Sequence, residues 1–223
     1  MKPWETLATT RAPDGTELIL YRHDRDFVIR AGGPGGYDLM TSRMHGSEEE
    51  LARLALPSPG PGATVLVGGL GMGYTLRAAL DLLPGNGKVV VAELLPAVLE
   101  WNQGPLADLA GRPLDDPRAA VELKDVVDVI RESVRRFDAI LLDVDNGPSS
   151  YTQGPNRWLY SPAGLAAIKR ALKPKGVLAV WSVEPDRGFE ESLRRAGYQQ
   201  QTHRVRARGR AGGPRQVIFI GRT

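Results

Sequence analysis

The sequence predicts an α/β protein built on a parallel sheet that closes with an antiparallel hairpin. Three observations carry this. From residue 64 onward, short apolar runs alternate with helix-compatible segments, the pattern of parallel strands joined by helical crossovers. The first run stops at glycines spaced Gly69-x-Gly71-x-Gly73. The last two strand-like runs, residues 200–208 and 216–221, have no room for a helix between them and must pair antiparallel.

The elements follow in order. Residues 17–22 and 27–30 are apolar runs around the polar turn His23-Asp24-Arg25-Asp26, which reads as a hairpin. Residues 1–46 are thus a small N-terminal β extension, and residues 47–223 the main domain. Ser47 opens a helix, with Glu50 three residues on in capping-box spacing. Pro57-Ser58-Pro59-Gly60-Pro61-Gly62 ends that helix and forms a joint. Strands are then expected over 64–67, 88–92, 119–123, 137–143 and 176–182. Helices are expected over 75–83, 95–109, 126–135, 161–172 and 189–196. Ser161-Pro162 is a cap followed by a first-turn proline, and Gly197 a helix stop.

Composition narrows the classes. The chain of 223 residues is 42% hydrophobic and 25% charged, as expected of a soluble globular domain. Cysteine is absent, which removes disulfides and thiolate chemistry. No apolar run reaches the roughly 20 residues of a membrane span, and the N-terminus lacks a signal-peptide core, so a cytoplasmic location is expected. His23 and His45 have no partners at metal-ligand spacing, and no metal is expected. Net charge is +3, too low to argue for nucleic acid. Arg204, Arg206 and Arg208 alternate and read as a solvated strand face, the alternative being a phosphate-contacting patch.

The glycine loop carries the chemistry. A strand, a tight glycine turn, a helix and a second strand tipped by Glu93, twenty residues after Gly73, form a nucleoside cradle. Glycines let the backbone approach the ligand, and the acid accepts hydrogen bonds from ribose hydroxyls. Dinucleotide loops usually read Gly-x-Gly-x-x-Gly and present a helix N-terminus to a pyrophosphate. Gly-x-Gly-x-Gly suits a ligand without one. With the closing hairpin, this points to S-adenosylmethionine and the Rossmann-like class I SAM-methyltransferase fold. The plainer alternative is a tight turn beside a solvated strand-end acid.

Asp143 and Asp145 stand at the end of a buried-type strand, where open α/β sheets bind ligands. Strand alternation sends both to one side, so they are the candidate catalytic carboxylates; the alternative is that one caps the following turn. Residues 149–160 are polar and aromatic and read as a lid over the acceptor, or as a surface loop anchored by Trp158 and Tyr160. Glu184 is a further acid at a strand end.

The chain resembles the spermidine/spermine synthase family of aminopropyltransferases. The resemblance runs through Met40-Thr41-Ser42-Arg43-Met44-His45-Gly46-Ser47-Glu48, Val65-Leu66-Val67 with the glycine loop, Leu76-Arg77, Val91-Ala92-Glu93-Leu94, Phe137 to Asp143, Gly147-Pro148 and Leu159-Tyr160. It implies that Gly69, Gly71 and Gly73 line the methionine part of S-adenosylmethionine or its decarboxylated form. It further implies that Glu93 holds the ribose, that Asp125 meets the adenine amino group, and that Asp143 lies at the catalytic strand end. His45 with Glu48 would face the acceptor, a small amine, and the chain would form a homodimer. Two departures stand out. The family's loop reads Gly-Gly-Gly-Asp-Gly-Gly, and Met72 falls where that Asp holds the amine of the transferred group. The family's Asp-x-x-Asp-Pro becomes Asp143-Val144-Asp145-Asn146-Gly147-Pro148. The sequence expectation therefore leans to methyl transfer. Aminopropyl transfer from decarboxylated S-adenosylmethionine to putrescine is one alternative, and a catalytically silent nucleoside-binding module another.

Overall fold

A computed structural model describes residues 3–144, 147–148 and 155–223. β1 (Glu5–Arg11), β2 (Glu17–His23), β3 (Asp26–Ala31) and β4 (Tyr37–Thr41) form a four-stranded antiparallel sheet in chain order. β2 and β3 are the expected hairpin. The outer strands have no clean apolar alternation, and most of their side chains are exposed or half-buried. Backbone pairing to β2 and β3 places them instead.

α1 (Gly46–Ala55) begins one residue before the expected start. The capping box does not form: His45 is the N-cap residue without a side-chain cap, Ser47 is buried, and Glu50 pairs with Arg53 at 2.7 Å. A tertiary contact sets the start. The Gly46 amide donates to the Ala207 carbonyl at 2.8 Å.

The second sheet holds β5 (Thr64–Gly68), β6 (Lys88–Glu93), β7 (Ala119–Leu123), β8 (Phe137–Leu142), β9 (Leu172–Ser182), β10 (Gln199–Arg206) and β11 (Arg215–Arg222). Its order is β10-β11-β9-β8-β5-β6-β7. β5 to β9 run parallel; β11 pairs antiparallel with β9, and β10 with β11, as the closing hairpin requires. α2 (Tyr74–Leu82), α3 (Pro96–Gln103), α4 (Val126–Glu132), α5 (Pro162–Ala171) and α6 (Arg187–Arg195) supply the crossovers. This is the expected Rossmann-like, class I methyltransferase-like arrangement. Ser161 caps α5 through the Gly164 amide at 3.1 Å.

Both faces of the sheet are covered, which is why its central strands are near-continuous Val, Leu and Ile. Alternate residues feed two cores. Val65, Val67, Ala179 and Ile218 pack with α1, α2 and the inner residues Leu20 and Ile29 of the N-terminal sheet. Leu66, Ile140, Leu178 and Phe219 pack with α4, α5 and α6. β10 is an edge strand, and its Arg204 and Arg206 are exposed. No helix among the described residues is long and apolar enough to cross a membrane.

The chain winds from β5 to β6 and β7 on one side, then returns to place β8 on β5's other side. The crevice beyond β5 and β8 is the topological switch point where such sheets bind ligands.

A Cβ on Gly46 would fall 2.2 Å from the Gly209 backbone nitrogen. Gly46→Ala should therefore lift α1 off the terminal hairpin and cost about 1–3 kcal/mol, the usual range for overpacking. A urea titration followed by circular dichroism would read this as a lower midpoint at unchanged slope.

Candidate active site

A cleft of about 510 Å³ opens at the switch point. Successive strand ends build its floor: the glycine loop after β5, Glu93 at the end of β6, Asp125 after β7 and Asp143 after β8. α1 contributes Ser47 and Glu48, and β4 contributes Met40 and its neighbours. Trp181 of β9 and Gln216 of β11 complete the far wall.

Gly69, Gly71 and Gly73 all have positive φ, at 87°, 53° and 84°, a region that L side chains avoid. The constraint is sharpest at Gly69. A Cβ there would sit 2.7 Å from the Asp143 carbonyl oxygen, so only glycine lets the loop pass this close to β8.

Glu93 fixes the loop from the other side. Its two oxygens accept from the Leu70 amide at 2.9 Å and the Leu95 amide at 2.8 Å. The residue is only 7% exposed, and burial raises its carboxyl pKa while the amides of Leu95, Leu70 and Leu94 pull it back. Each oxygen keeps a second acceptor site for a ligand hydroxyl.

Asp125 caps α4, accepting from the Val127 amide at 2.8 Å through Oδ1. Asp143 accepts from the Thr75 hydroxyl at 2.9 Å, which ties β8 to the first turn of α2. Asp145 lies outside the described residues, as do residues 149–154 of the expected lid. Residues Pro155–Tyr160 form a 3₁₀ turn, with the Arg131 guanidinium 4.2 Å above the Trp158 ring and Tyr160 edge-on to Phe189 at 5.6 Å. Asn156 is the residue of that turn that lines the cleft, and Glu184 does not line it.

Two residues sit otherwise than the sequence suggests. Met72 is 1% exposed and packs into the core with Leu76 and Leu80, so it takes no part in the cleft wall. A thioether at this position consequently says little about the transferred group. His45 stacks on Tyr74 at 4.2 Å and pairs with Glu49 at 2.8 Å; it is not among the lining residues.

Glu48 belongs to the cleft and is the acid that sequence reasoning undervalued. It is 7% exposed, and its Oε2 has no hydrogen-bond partner among the described residues. Burial raises its pKa well above the ordinary range, and Asp143 and then Glu49 push it further. A Glu in the first turn of an amphipathic helix, here the first of Glu48-Glu49-Glu50, normally reads as a solvated, dipole-compatible charge. Only the packing of α1 on β8 and β9 makes it a buried one.

The cleft's charge is one-sided. Glu48, Glu93, Asp125 and Asp143 line it together with Asp38, which Arg30 pairs at 2.7 Å from outside the wall, and no Lys, Arg or His is among the described lining residues. A larger groove of about 1080 Å³ between the ends of α4, α5 and α6 lies at the opposite end of the sheet. It offers Arg135, Lys169, Arg170 and Arg195, no carboxylate and no glycine loop. The chemistry belongs to the smaller cleft.

No protein-family model matches the chain. The polyamine aminopropyltransferase of Mycobacterium tuberculosis (strain ATCC 25618 / H37Rv) is 31% identical over 182 residues, 75% of this chain. The chain is spermidine synthase-like. The Bacillus subtilis (strain 168) polyamine aminopropyltransferase is 31% identical over 127 residues, covering 57% of this chain and 43% of that protein. The solved spermidine synthase from Thermotoga maritima superposes with a TM-score of 0.75 at 20% identity, over 97% of this chain and 72% of its own. A spermidine synthase in complex with the transition-state analogue AdoDATO gives 0.74 at 20% identity, with the same coverage. This spermidine synthase-like chain spans 33% of the length of the mycobacterial relatives it matches.

A stability test isolates Glu48. In the unfolded chain its carboxyl titrates near the ordinary value of about 4.3; in the fold it keeps its proton to higher pH. Stability is therefore lost as pH rises through that window, because the unfolded state ionises first. Glu48→Gln should match the parent near pH 4 and exceed its melting temperature at pH 7 to 8. Equal melting temperatures across that range would contradict the burial argument.

Proposed function

We propose that the chain transfers an aminopropyl group from decarboxylated S-adenosylmethionine to a small amine. One observation carries the choice of donor: Glu93, Asp125, Asp143 and the buried Glu48 line the cleft beside an Asp38 paired to Arg30, and no cationic side chain lines it among its described residues. S-adenosylmethionine carries an α-carboxylate that would find no partner there and would be repelled. The decarboxylated donor has hydrogen in its place and keeps only the ammonium, which such a cleft attracts. The names of the relatives weigh in the same direction and against the sequence expectation of methyl transfer.

In this reading Gly69 and Gly71 let the donor lie against the loop, while Gly73, which does not line the cleft, turns the chain into α2 behind them. Glu93 accepts from the ribose hydroxyls with the acceptor sites that Leu70 and Leu95 leave open. Asp125 accepts from the adenine amino group through Oδ2, its Oδ1 being held by the Val127 amide. The exposed Leu94 offers the base an apolar surface.

The acceptor enters as an ammonium. Asp143 takes one of its protons, and the freed nitrogen attacks the donor carbon next to sulfur. The C–N bond forms as the C–S bond breaks, the sulfonium's positive charge is discharged, and a neutral thioether nucleoside leaves. Positioning supplies most of the acceleration, and the base makes the nitrogen nucleophilic. Thr75 orients Asp143 by its 2.9 Å hydrogen bond. Asp145, two residues further along the chain, is proposed as the second carboxylate on the acceptor.

Calorimetry with the two donors tests this directly. The decarboxylated donor should bind at least about tenfold more tightly, the worth of one charge-assisted contact. Tighter binding of S-adenosylmethionine would overturn the donor assignment. Glu93→Gln should weaken methylthioadenosine by about 10- to 100-fold. With putrescine as the first acceptor tried, Asp143→Asn should lower kcat by about 10²- to 10⁴-fold.

A further inference from the structure

Three buried polar atoms converge on the cleft wall formed by α1, β9 and β11. They are Glu48 Oε2, Trp181 Nε1 and Gln216 Oε1, each lining the cleft and each without a hydrogen-bond partner among the described residues. Only one other buried side-chain atom of the described residues shares that state, Arg77 Nε. Buried polar atoms are nearly always satisfied, so three orphans on one wall call for a ligand.

The register explains why they meet. Ile218 of β11 lies opposite Trp181 of β9, so the two side chains share a face of the sheet. Gln216, two residues before Ile218, projects from that same face as Trp181's diagonal neighbour. Ile218 belongs to the core that includes Leu51, Ala52 and Ala55 of α1, which brings the helix carrying Glu48 over this face. Asp143 lies across the cleft, close enough to repel Glu48's charge.

The chemistry of the three atoms selects the ligand. Glu48 Oε2 and Gln216 Oε1 accept; the indole N–H only donates. An ammonium satisfies the first two and has nothing to offer the third. A neighbouring oxygen on the ligand satisfies it. A carboxylate oxygen would be repelled by Asp143 and by the ionised Glu48 that the ammonium requires, which leaves a neutral one.

We propose that Glu48, Gln216 and Trp181 form a subsite for a short amino alcohol, with the ammonium on Glu48 and Gln216 and the hydroxyl on the indole N–H. This names the amine acceptor of the transfer proposed above and rests on that reading for its role as substrate, though not for binding. Burial beside Asp143 favours the protonated Glu48 carboxyl and an ammonium favours the ionised one, so binding releases protons and tightens as pH rises through the range in which Glu48 titrates. The groups facing Glu48 are Asp143 beyond β8, Tyr74 of α2, and Glu49 of its own helix, whose Oε1 pairs with His45.

The test is calorimetry of 3-aminopropan-1-ol, propylamine and 1,3-diaminopropane, on the free protein and on protein loaded with methylthioadenosine. The amino alcohol should bind tightest, by about two- to tenfold over propylamine, the worth of one neutral hydrogen bond. Trp181→Phe should erase that preference, the amino alcohol then binding no more tightly than propylamine. Glu48→Gln should weaken all three ligands about tenfold or more and abolish the proton release, measured in buffers of different ionisation enthalpy. Gln216→Leu should weaken all three more modestly. If methylthioadenosine binds and none of the amines does, the subsite is wrong and the donor assignment stands. If the amines bind in the stated order but no nucleoside does, the subsite stands and the transfer reading fails. If the diamine binds tightest, the hydroxyl assignment is wrong.

Discussion

The Glu93 carboxylate, held by the amides of Leu70 and Leu95, joins the two strands that make the cleft. One oxygen reaches back to the glycine loop after β5 and the other closes the turn into α3. The loop cannot shift without breaking a charge-assisted bond in a site almost closed to water, where such bonds are strongest. On its other flank Gly69 presses against the Asp143 carbonyl, so the loop is held between β6 and β8 with no slack. Every other feature of the cleft is set relative to that clamp. α2 starts just after its N-cap Gly73 and sends Thr75 to Asp143, and Met40 of the N-terminal sheet rests against Gly71.

The fold was legible where a single local rule dominated. Strands β5, β6, β8 and β9 are apolar runs between breakers, and the terminal hairpin follows from the missing crossover. β1 and β4 were not legible, since their order comes from pairing with β2 and β3 and not from an apolar stripe. The start of α1 was misplaced for a related reason. Ser47 and Glu50 have capping-box spacing, but the Gly46 amide is taken by Ala207, about 160 residues further along the chain, a long-range partner that periodicity does not reveal.

The site divides in the same way. Gly69, Gly71, Gly73, Glu93, Asp125 and Asp143 stand out in the sequence because a strand end followed by glycine or acid has few other uses, and the structure brings five of these six to line one cleft; Gly73 stands behind them as the N-cap of α2. Met72 was misread because alignment fixes a position in a loop but not the direction of its side chain. Glu48, Trp181 and Gln216 were not recognised as a group because they come from three distant segments, each ordinary in its own context. Only the stacking of α1 over the β9–β11 ladder puts their polar atoms on one wall.

The closing hairpin leaves β10 as an open edge, with backbone groups available to any strand that approaches. Arg204 and Arg206 stand exposed along it, and Arg208, Arg210 and Arg215 crowd its turn, none with a carboxylate partner among the described residues. A second copy aligning edge to edge would bring these like charges together without counter-charge. The arginine run thus works as a guard against sheet extension. It keeps a seven-stranded sheet from growing into the next molecule, and the guard weakens as salt screens it.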